Sequence, residues 1–101
     1  MKIKFKKSFV KKLQKQVSYI SKYSKTNAIQ FRTELINEIN KLKKFPYICR
    51  KSIYCDDENI RDLIFKGYCI VYKINQQEDY IEIFALTKYM ENIESWSRCQ
   101  N

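Results

Sequence analysis

IRDLIFKGYCIVYKINQQEDYIEIFALTK, residues 60–88, decides the fold through its period. After the only glycine, Gly67, the side chains of Tyr68, Ile70, Tyr72 and Ile74 fall on one face, and Cys69, Val71 and Lys73 on the other. From Tyr80, the residues Ile81, Ile83 and Ala85 share a face, with Glu82, Phe84, Leu86 and Lys88 opposite. β-Branched and aromatic residues at this density suit a pleated, half-buried surface. Gly67 supplies the backbone freedom for a tight turn, and the polar residues 75–79 form a second connector. The spacing predicts an antiparallel meander of three strands, apolar on both faces near its middle. Such a sheet needs a layer packed against it.

The preceding half of the chain supplies that layer. Residues 2–6 alternate, Ile3 and Phe5 against Lys2, Lys4 and Lys6, as in a short strand whose lysines discourage edge pairing. Ser8 is the expected cap of a first helix in which Phe9, Leu13, Val17 and Ile20 recur at helical steps, with Lys11, Lys12, Lys15 and Lys22 outside. A break at 21–27 offers Thr26 or Asn27 as the cap of a second helix. Its stripe is Ala28, Phe31, Leu35, Ile39 and Leu42, with Glu38–Lys41 as a surface pair. Pro46 ends the helix near Phe45. The order is strand, two helices, then strands. We read an α+β domain in which an N-terminal strand and an antiparallel helical hairpin pack on a small antiparallel sheet, β-α-α-β-β-β.

With 101 residues, one domain with one two-layer core is the expectation, residues 1–90, followed by a tail, 91–101, that contains Trp96. No apolar run approaches the ~20 residues of a membrane span, and the lysine-rich start lacks the apolar stretch of a signal peptide, so the sequence reads as cytoplasmic. The cysteines Cys49, Cys55, Cys69 and Cys99 include no C-x2-C pair and there is no histidine, so neither metal nor cofactor is expected. They read as reduced, mostly buried small hydrophobes, with Cys99 the exposed one. The acidic run Asp56, Asp57, Glu58 reads as a solvated loop. Charge is lopsided: residues 1–51 carry +13 and residues 52–101 carry −4. A basic half suggests an acidic partner, nucleic acid or protein.

The motifs KIKF, FRTELINEINKLKKFP, CRKS, IRDLIFKGYCIVYKI and IEIFALTK together resemble the RelE/ParE superfamily of toxins from type II toxin–antitoxin systems. The family's arginine after the second helix falls on Arg50. Its Arg-x-Leu strand falls on Arg61 and Leu63, its aromatic-x-Ile-Val-Tyr strand on residues 68–72, and its final basic position on Lys88. Cys49 departs from the glycine found in many members.

The resemblance implies one of two activities. In the RelE-like branch, a ribosome-dependent mRNA endoribonuclease, the surviving catalytic candidates are Arg61, Lys66, Lys73, Lys88 and Tyr89, since Cys69 and Tyr89 stand where the ribonucleases carry basic residues. Such a site must activate a 2′-hydroxyl and stabilise a phosphorane. In the ParE-like branch, a plasmid-stabilising inhibitor of DNA gyrase, no catalytic group is needed. The aspartate within RDLIFKGYCIVYKI favours this branch. Target-binding residues would then be Arg50, Lys51, Arg61, Lys88 and Tyr89. Phe9, Leu13, Val17, Phe31 and Leu35 would meet the cognate antitoxin, which alone would bring operator DNA. A third reading is an inactive relic that serves as antitoxin partner or corepressor.

Overall fold

A computed structural model describes residues 1–88 of the protein. The elements run β1 (Lys2–Phe5), α1 (Lys7–Ser21), α2 (Lys25–Lys41), β2 (Arg50–Lys51), β3 (Ile60–Phe65), β4 (Tyr68–Asn75) and β5 (Tyr80–Lys88). The sheet order is β1-β5-β4-β3-β2. β3, β4 and β5 form the expected antiparallel meander. β1 joins it parallel to β5, Lys2 opposite Tyr80 and Phe5 opposite Ile83, so the sheet is mixed. The helical hairpin is what lets β1 return in that direction, because a parallel neighbour needs a long crossover. The α+β class and the strand–helix–helix–strand order hold. β2, a two-residue strand on the outer edge of β3, was not foreseen.

Both helix caps differ from the expectation. α1 begins after Lys6, which has extended backbone and makes no side-chain cap bond, so Ser8 lies inside the first turn. α2 is capped by Ser24, whose hydroxyl accepts from the Asn27 amide at 3.1 Å, rather than by Thr26 or Asn27. A serine three residues upstream of the amide it satisfies is the usual geometry. The regular part of α2 stops at Lys41, and the Lys44 and Phe45 amides still bond the Lys41 carbonyl before Pro46.

The core lies between hairpin and sheet. Phe9, Leu13, Phe31, Leu35, Ile39 and Leu42 meet Phe65, Ile70, Tyr72, Ile74, Ile81, Ile83 and Leu86. The reading of β5 needs one correction. Val71 pairs with Ala85 but Tyr72 pairs with Ile83, which leaves Phe84 as the extra residue of a bulge. One extra residue reverses every later side chain. Leu86 therefore points to the helices, and Ala85 joins the opposite face with Phe84, Cys69 and Val71.

That opposite face is not left open. Residues 52–59 fold across it, burying Tyr54 and Cys55 against Ile60, Cys69 and Val71. Cys49 and Cys69 are free thiols, whereas Cys55 is disulfide-bonded, so the reading of all the cysteines as reduced does not hold for it. Among the described residues no helix is long and apolar enough to cross a membrane, and no cluster could hold a metal ion. The expectations for Tyr89, Trp96, Cys99 and the tail lie outside the described residues.

Candidate functional site

The cations singled out by the sequence are positioned by different parts of the sheet. Arg61 lies on β3 opposite Tyr72 and faces the helical side. Its guanidinium is occupied three ways. Nε donates to the Glu58 carbonyl at 2.8 Å, Nη1 donates to the Cys49 carbonyl at 3.1 Å, and the plane lies 4.9 Å from the centre of the Tyr47 ring. Nη2 adds a longer contact to the Glu58 carboxylate. A planar fork with several donors suits this task of tying two chain segments together. Tyr47 in turn donates to Asn59 Oδ1 at 2.6 Å and accepts from Gln76 at 2.7 Å.

Arg50 and Lys51 follow on β2. Arg50 reaches the buried Asp62 carboxylate at 3.3 Å. Lys51 bonds Asp56 at 2.9 Å and lies near Glu58, so the acidic run folds back on the basic strand. That contact raises the Lys51 ammonium and holds the Asp56 carboxyl below its ordinary range.

Lys66 and Lys88 sit at the other pole. Lys66 is the first residue of the β3–β4 turn, with φ of 47°, and its ammonium pairs with Glu34 of α2. Lys88 is exposed and lies opposite Tyr68. Lys73 is exposed on the far face, between Ile60 and Glu82. Tyr68 and Tyr72 are four residues apart on one strand, so Arg61 and Lys88 stand about 13 Å apart along the sheet. The candidates among the described residues do not converge on one reacting atom.

The five residues assigned to antitoxin contact divide. Phe31 and Leu35 are buried in the core, Leu35 with no exposure at all, and Phe31 packs its ring 5.5 Å from both Phe65 and Tyr68. Phe9 and Leu13 are buried core residues too, but together with the half-buried Val17 they line an apolar groove of about 370 Å³ along α1. Phe5, Val10, Gln14, Ser18, Arg32 and Ile36 complete it. Phe5 is 42% exposed and stacks on Phe9. Sequence reasoning missed Val10 and Ile36. The signal was present, since Val10 and Val17 stand two helical turns apart and form a second stripe beside the Phe9–Leu13 one.

A groove walled by apolar side chains with one arginine on its rim has the form of a seat for an amphipathic helix. A comparison with protein families matches residues 3–92 to the family described as ParE toxin of type II toxin-antitoxin system, parDE. No curated protein matches the chain. The match takes in all but the first residue of the described elements, so the chain belongs to the ParE family of type II toxin–antitoxin toxins.

Proposed function

We propose that this toxin inhibits DNA gyrase and is neutralised by an antitoxin seated in the groove along α1. The family match over residues 3–92 carries the reading. The placement of the cations supports it: Arg61 is committed to Cys49, Glu58 and Tyr47, and Lys88 lies far from it. A ribonuclease built on those groups would have to free Arg61 first, at the cost of several hydrogen bonds. A protein that acts by occupying its target has no such requirement.

Arg50, Lys51 and the exposed Lys88 are the target-facing candidates that remain among the described residues, and the reading places the protein's action in the cytoplasm, where gyrase works. An antitoxin segment with apolar residues at helical spacing and a carboxylate for Arg32 would fill the groove. Folding on binding suits such a segment. Operator DNA would be met through that antitoxin, and the pair would stabilise the plasmid that encodes it.

The test adds antitoxin-free protein to purified gyrase, relaxed plasmid and ATP. Loss of supercoiling with protein-linked DNA breaks is the expected result. Unaffected gyrase with a folded toxin would reject the reading and leave ribosome-dependent mRNA cleavage as the activity to assay.

A further inference from the structure

The outer face of α1 carries lysines and a tyrosine, Lys11, Lys15, Tyr19 and Lys22, that neither the core nor the groove uses. Lys11, Gln14, Lys15, Ser18, Tyr19 and Lys22 line a shallow open trough opposite the Phe9–Leu13 stripe. At 100° per residue, Lys11, Lys15 and Lys22 fall within about 40° of one another. They span about 17 Å along the axis, at 1.5 Å per residue. None of the three pairs with a carboxylate among the described residues. The sequence offers them none nearby, for the first acidic residue of the chain is Glu34.

Folding does not account for this arrangement. α1 has no acid in its first turn and no base in its last, the reverse of what the helix dipole favours. Lys7, Lys11, Lys12 and Lys15 stand in its first nine residues, and only Lys22, the C-cap, lies at the end the dipole favours. A solubilising surface would mix both signs and gain i,i+4 pairs. Beside the lysines two large rings stand in solvent. Tyr19 is 54% and Tyr23 78% exposed, and they pack edge to face at 5.5 Å. Unpaired cations in a row with aromatic hydroxyls at one end match a phosphate backbone, which takes donors from lysine and tyrosine alike.

We propose that this face binds the phosphate backbone of double-stranded DNA, without reading sequence. The row of three ammonium groups runs along a duplex that presents one negative charge per about 1.7 Å of axis. Tyr19 and Tyr23 donate to flanking phosphates. The face adjoins the groove proposed for the antitoxin along Gln14 and Ser18, but the three lysines lie outside that groove, and DNA binding here stands whether or not gyrase is the target.

The test measures fluorescence anisotropy of a labelled duplex of arbitrary sequence with the full-length toxin from about 50 to about 200 mM salt. Three phosphate contacts give a log–log salt slope of about −2.7, a loss of affinity of about 40-fold over that range. The triple variant Lys11→Gln, Lys15→Gln, Lys22→Gln is expected to lose that part of the slope. The arginine triple, Lys11→Arg, Lys15→Arg, Lys22→Arg, is expected to keep it, which holds the test open should the glutamine triple fail to fold. Tyr19→Phe with Tyr23→Phe weakens binding at unchanged slope. A triple of equal charge loss elsewhere, Lys25→Gln, Lys43→Gln, Lys44→Gln, should leave most of the slope intact. An unchanged slope in the first triple, an equal loss in the control triple, or polyglutamate bound as tightly as the duplex would each overturn the proposal.

Discussion

Asp62 holds a carboxylate at 2% exposure, with one oxygen bonded and the other bare. Oδ2 accepts from Arg50 and from the Ile53 amide at 3.1 Å, while Oδ1 has no hydrogen-bond partner among the described residues. These contacts fasten the 52–59 loop to the sheet face. Removing the anchor by Asp62→Ala should cost about 2 kcal/mol, the usual scale for hydrogen bonds to a buried charge. Urea unfolding reads this as a lower midpoint at constant slope, and a shift near zero would show the loop to be held by Tyr54 and Cys55 alone. The same burial acts on Cys69. Desolvation, aided by the Asp62 charge, pushes its thiol up to about 12 from an ordinary 9.0. Tyr72, whose hydroxyl donates to the Pro46 carbonyl at 2.8 Å, is raised as well, again through burial first. In both groups the folded state keeps its proton where the unfolded chain would release it. Stability should therefore be flat with respect to these groups below pH 9 and fall from about pH 9 toward pH 12. Urea midpoints across that range check it, and a rise above pH 9 would contradict the sign.

Among the elements, the β3–β4 hairpin shows most directly what the sequence could reveal. Phe65 pairs with Tyr68, and the two residues between them both have positive φ, Lys66 at 47° and Gly67 at 82°. Two left-handed residues match the twist of the strands they join. A Cβ on Gly67 would meet nothing within 4 Å, so Gly67→Ala tests backbone strain alone. It should destabilise by about 1–2 kcal/mol, measured by thermal or urea unfolding. The turn was legible because glycine leaves a mark. The bulge at Phe84 was not, because an extra residue in an apolar strand has no composition of its own and only the pairing of Val71 with Ala85 exposes it. The caps failed for a related reason. Ser8, Ser24, Thr26 and Asn27 are all competent, and the tertiary position of each helix selects Ser24 and leaves Lys6 to start α1 uncapped. Likewise Arg61 could be picked out as important from its motif. Its occupation by Cys49, Glu58 and Tyr47 depends on a loop path that no local spacing encodes.

At the scale of the whole molecule, the groove and the lysine face of α1 are neighbours that meet at Gln14 and Ser18, while Lys88 stands on the sheet. Val17 lines the groove from a half-buried position. Val17→Asp should weaken antitoxin binding by at least about 10-fold, or ~1.4 kcal/mol, while gyrase inhibition by the free toxin persists. Titration calorimetry alongside the supercoiling assay separates the two effects, with a thermal melt to verify folding. Equal loss of both would merge the surfaces into one. The parallel pairing of β1 with β5 has a further consequence, for synthesis. Lys2 finds its partner only at Tyr80, and Lys6 donates to the Ile83 carbonyl. Contacts of such long sequence separation form late and slowly. At about 5–20 residues per second, about 4–16 s pass between the synthesis of β1 and that of Tyr80, and through that time β1 has nothing to pair with. The sheet of a nascent chain thus stays one strand short until residues 80–83 have emerged, and until then β1 is an unpaired, lysine-flanked segment.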